Sequence, residues 1–137
     1  MKIYCLYLKG IKISGLEVDP VWWKIRKHFI PLNFLETEQK ITPQAIQQSC
    51  SIDNWNFAVL FCYFNNQKAF NEYVRAYQGK YVIIIGPAEN TNRYTEPLPH
   101  NPKFEESENY KLIHFSDFGD NRDQIAVFEK LVNKDKN

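Results

Sequence analysis

One stretch constrains this chain more than any other: residues 55–87, WNFAVLFCYFNNQKAFNEYVRAYQGKYVIIIGP. Residues 57–64 are a near-continuous apolar and aromatic run, and residues 81–85 are another. Such runs suit strands buried on both faces, as in a parallel sheet. Between them Ala69, Phe70, Tyr73, Val74 and Tyr77 recur at helical spacing. Asn65 or Asn66 can cap the start of that helix, and Gly79 stands where it would end. The pattern predicts a strand–helix–strand unit, which is almost always parallel and right-handed.

The chain has 137 residues, the size of one ordinary domain. Residues 1–131 read as a single α/β domain and residues 132–137 as a polar tail. With 44% hydrophobic and 15% aromatic residues it has ample material for a core. A formal charge of +1 gives no global pull towards nucleic acid or an anionic membrane. No apolar run approaches the roughly 20 residues of a membrane-spanning helix, and the amino end has too short an apolar run for a signal peptide. Cys5, Cys50 and Cys62 form no Cys-x-x-Cys or Cys/His cluster. Reduced thiols in the cytoplasm or nucleus are the expectation.

Upstream, residues 2–8 and 11–18 both read as strands, with only Lys9 and Gly10 between them. A parallel crossover needs about a dozen residues or more, so they form either a hairpin or one long bent strand. Asp19-Pro20 then opens a helix with Trp22, Ile25 and Phe29 on one face, ended by Pro31. A short strand is expected over 32–35. Thr42-Pro43 repeats the cap-then-proline signal before a short helix through Ala45, Ile46 and Ser49. Residues 88–109 hold Pro97, Pro99 and Pro102 with several asparagines and read as a long surface loop, with a helical turn near 104–107. Residues 110–115 and 124–129 are the last strands, joined as a hairpin across 116–123.

In this order the chain resembles the class I S-adenosylmethionine-dependent methyltransferases: a three-layer, mostly parallel sheet closed by an antiparallel hairpin at the carboxyl end. The resemblance spans roughly residues 11–131. It implies cofactor-binding positions at Glu17 or Asp19, whose carboxylate would accept the ribose hydroxyls, and at Gly86. It implies a substrate-facing position at Asn65, with Tyr63 or Phe64 stacking on a flat group. Each has a plainer reading: Asp19 and Asn65 as helix caps, Tyr63 and Phe64 as core, Gly86 as a turn glycine.

The family's glycine-rich turn and first helix have no counterpart here, because Lys9-Gly10 leads straight into another strand. Such a turn supplies the amide donors of a nucleotide cradle. The expectation is therefore a shortened, degenerate methyltransferase-like domain that binds no cofactor and acts through protein–protein contact or as a dimer. Trp22 and Trp23 cannot both enter one core from one helix, so at least one is partly exposed and a candidate for a protein or subunit contact; the 90–102 loop is the other candidate contact surface. A small active methyltransferase using Glu17 or Asp19, Asn65 and Gly86 is the first alternative. A nucleic-acid-binding module gripping phosphates with Lys24, Arg26 and Lys27 beside the tryptophans is the second, against an ordinary amphipathic helix face. His28, His100 and His114 show no metal-ligand spacing, and Cys62 lies in an apolar run unsuited to a nucleophile.

Overall fold

The computed structural model describes residues 12–17, 32–34, 41–50 and 54–132. It divides into two compact units, Met1–Asn54 and Trp55–Asn137.

In the first unit, strand β1 (Gly15–Glu17) runs parallel to β2 (Leu32–Phe34), with Gly15 opposite Leu32 and Glu17 opposite Phe34. Helix α1 (Pro43–Cys50) begins where the sequence places it. The Thr42 hydroxyl accepts from the Ala45 amide at 3.1 Å, filling one of the orphan donors of the first turn. Ile46, one turn in, is buried.

The second unit contains the expected strand–helix–strand. Strand β3 (Val59–Cys62) leads through α2 (Gln67–Ala76) to β4 (Tyr81–Pro87), and β3 and β4 pair in parallel. Of the two asparagines, Asn66 is the cap: its side chain accepts from the Ala69 amide at 3.0 Å. A 3-10 turn at Ser107–Asn109 precedes β5 (Tyr110–Phe118), which returns as β6 (Asp123–Lys130). The hairpin is longer than its sequence suggests, and the turn shrinks to residues 119–122, with Gly119 and Arg122 at positive φ.

The sheet order corrects the expected fold. The strands run β3-β4-β6-β5, so β4 has a parallel neighbour on one side and an antiparallel one on the other. Within this four-stranded sheet only β3–β4 is parallel, and the described residues hold two α-helices. This is a small mixed α/β fold, not a three-layer, mostly parallel methyltransferase sheet. The physical reason lies in β4: its VIIIG run is apolar on both faces because the strand is central, and centrality does not fix a neighbour's direction.

The core lies between α2 and one face of the sheet. Phe70 (0% exposed) and Tyr73 meet the Phe61 ring at centroid distances of 4.8 Å and 6.2 Å. Phe61 pairs with Ile84, Ile84 with Ala126 and Val82 with Phe128, so all five share that face. Each fully buried large side chain of this kind contributes about 1.5–3 kcal/mol. Phe104 extends the same layer, stacked on Tyr110 at 4.0 Å and edge-on to Phe128 at 5.1 Å. The opposite face carries Leu60, Cys62, Ile83, Ile85, Ile125 and Val127, of which Ile85 is buried and the rest half-buried.

Candidate functional site

Ligands in parallel α/β sheets bind beyond the carboxyl ends of the strands, so the ends of β3 and β4 come first. Directly after β3, Tyr63 turns into the left-handed region (φ 52°) while its amide still donates to the Ile85 carbonyl at 2.8 Å. Its hydroxyl donates to Oδ1 of Asp123, the first residue of β6. Arg93, from the loop after β4, donates through Nη1 to the same Oδ1 at 2.8 Å and to the Tyr63 hydroxyl at 2.6 Å. Its Nη2 donates to the carbonyl of Asn121 in the hairpin turn. One guanidinium therefore joins the β3 end, the long loop and the β5–β6 turn.

The Asp123 side chain is only 8% exposed, against 38% for Arg93. Burial, and then the hydrogen bond to Asp123, push the Tyr63 hydroxyl up to about 12. A phenol held there stays protonated near neutrality, so it is poorly suited to serve as base or nucleophile. The cluster is chemically a clasp.

The remaining sequence-stated positions fall around this clasp or away from it. Asn65 is exposed and forms a parallel bridge with Glu96, while Phe64 and Asn66 exchange backbone hydrogen bonds with Glu96 at 3.1 Å and 2.9 Å. Gly86 does face a crowded approach, but from the chain itself. A Cβ there would stand 2.8 Å from Thr95 Oγ1 and 3.1 Å from Pro99 Cδ. The chain's own loop thus packs directly against Gly86. Glu17 lies in β1 of the first unit. Asp19, Trp22, Trp23, Lys24, Arg26 and Lys27 lie outside the described residues, as does the strand expected over 2–8.

An open depression of about 520 Å3 lies at the other end of β4, walled by Trp55, Gly79, Lys80, Glu106 and Lys130. Its cations have partners. Lys80 pairs with Glu129 at 2.8 Å, and Lys130 donates to the Tyr77 carbonyl at the end of α2 at 2.9 Å. Burial lowers the pKa of Lys130. Lys130 is thus used at a helix carboxyl end, as basic groups often are, and Lys80 is held in a surface ion pair. Among the described residues no group of three or more His, Cys, Asp or Glu side chains could hold a metal. No described helix is long and apolar enough to cross a membrane.

The outer edge of β5 is different. Among the described residues it has β6 on one side and no strand on the other. Leu112 is 49% exposed, Ile113 47% and Phe115 41%. A free edge offers unpaired amides and carbonyls, and apolar side chains along it are the usual mark of a pairing surface. The sequence contained these residues but not their position, because strand order decides which strand is outermost. Arg93 and Asp123 likewise have no local signal: they lie 30 residues apart and meet only in the folded sheet.

No family model, no curated protein and no solved structure matches this chain.

Proposed function

We propose that this chain is a non-catalytic interaction protein that works through the outer edge of β5. The observation that carries the proposal is the exposure of Leu112, Ile113 and Phe115 on a nine-residue edge strand. Two features support the non-catalytic part. The polar cluster at the strand ends is internally hydrogen-bonded around a protonated phenol, and the approach to Gly86 is filled by Thr95 and Pro99. We infer the cytoplasm or nucleus as its compartment, because the chain has an odd number of cysteines and no Cys-x-x-Cys or Cys/His cluster in its sequence.

The test is edge-dependent retention. The wild-type chain and a Leu112→Asp/Phe115→Asp variant are immobilised and exposed to extract from the source cells. Proteins held by the wild type and lost by a variant of equal thermal stability support the proposal. Equal retention by both overturns it. Calorimetry with S-adenosylmethionine probes the catalytic alternative: micromolar binding that weakens in Glu17→Ala would replace a purely interacting protein with a donor-binding one.

A further inference from the structure

Building on that interaction role, we infer that the occupant of the β5 edge is a second copy of the same chain, paired antiparallel about a two-fold axis between Ile113 and His114. The observation behind this is the bulge in β5. Its ladder with β6 pairs Leu112 with Phe128 and then His114 with Val127, skipping Ile113. Directly opposed residues share a face. Leu112 therefore lies on the α2 face with Phe128, and Phe115 lies on the same face with Ala126. In an unbulged strand, residues at this spacing would point to opposite faces.

The bulge selects the partner. A regular strand laid along β5 keeps its faces matched with one half only, before or after the skipped residue. A strand carrying the same bulge matches both halves. In the two-fold arrangement Leu112 faces Phe115 of the other copy, Ile113 faces His114, Lys111 faces Ser116 and Tyr110 faces Asp117. Each of these pairs occurs twice. The half-exposed Leu112 and Phe115 meet in this register, and no like charges stand opposite one another. The product is one continuous sheet joining two four-stranded halves. A contact built from single strands is small, so a modest, concentration-dependent dimer follows.

The test uses the purified full chain. Sedimentation analysis should show a monomer–dimer equilibrium. Phe115→Lys, which changes the interface twice, should weaken it about a hundred-fold and leave the melting temperature unaltered at dilutions where both chains are monomeric. The register is read by mixing a Leu112→Cys chain with a Phe115→Cys chain. Mass spectrometry should find a disulfide between the introduced cysteines in the mixture, and none between the introduced cysteines of Leu112→Cys alone. A monomer at every concentration, a dimer indifferent to Phe115→Lys, or cross-linking in another register overturns the two-fold pairing. A monomer that still retains partners in an edge-dependent way would remove only the self-pairing. A monomer with edge-independent retention would remove the interaction role as well.

Discussion

The hydroxyl of Tyr63 donates to the carboxylate of Asp123, tying the residue that follows β3 to the residue that opens β6. These strands are not neighbours, since β4 runs between them. The bond, with Arg93 laid across it, closes the end of the sheet where the backbone leaves both parallel strands. Loss of Asp123's charge should therefore cost more than loss of the phenol. Asp123→Asn weakens both bonds to the carboxylate, each charge-assisted and worth about 1.5–3 kcal/mol, whereas Tyr63→Phe removes one of them and leaves the Arg93–Asp123 pair in place. Urea unfolding measures both. An Asp123→Asn variant as stable as the wild type would mean the clasp does not hold the fold.

The same hydroxyl gives the clasp a pH signature. Tyr63 is pushed up to about 12 by burial and by Asp123, and Tyr110 to about 12 by burial and then by the negative charge of Glu106. A raised tyrosine pKa means the fold favours the neutral phenol. The associated stability is complete below the ordinary value near 10 and is lost as pH rises through about 12. Phenolate absorbance should therefore show a late-titrating class of tyrosines, and Tyr63→Phe should shrink that class. Unchanged late titration in Tyr63→Phe would refute the assignment.

What could be read from the sequence follows the range of the forces involved. The α2 signals are local: an apolar stripe at helical spacing and a capping asparagine one turn ahead. The sequence left Asn65 and Asn66 equivalent, because either can cap. The folded chain separates them by placing Asn65 in a bridge with Glu96. The hairpin was legible for the same local reason. The sheet order was not, because β4 is apolar on both faces whether its neighbours run with it or against it. The clasp and the β5 edge, outermost among the described strands, are products of that order, so neither could be seen before it.

The asparagine assignment is itself testable. Asn66→Ala removes the acceptor for the Ala69 amide and should cost about 1 kcal/mol. Asn65→Ala, at an exposed position joined to Glu96 through a backbone bridge, should be close to neutral. Equal losses in the two variants would show that capping is shared.

Gly86 separates a packed strand end from an open binding crevice. If the position lined a pocket for a flat ligand, a methyl group there would weaken ligand binding and leave the fold unharmed. In the structure that methyl group meets Thr95 Oγ1 at 2.8 Å and the Pro99 ring at 3.1 Å. Neither neighbour moves easily. Thr95 is buried and donates to the Pro97 carbonyl at 2.9 Å, and Pro99 is fully buried. Overpacking of this kind typically costs about 1–3 kcal/mol. Gly86→Ala should therefore lower the melting temperature in the absence of any ligand, and proteolysis should reach residues 88–102 more readily as the loop lifts from the sheet. A Gly86→Ala chain with unchanged melting and unchanged loop protection would mean that space is open beside β4, and a ligand at that strand end would again have room to bind.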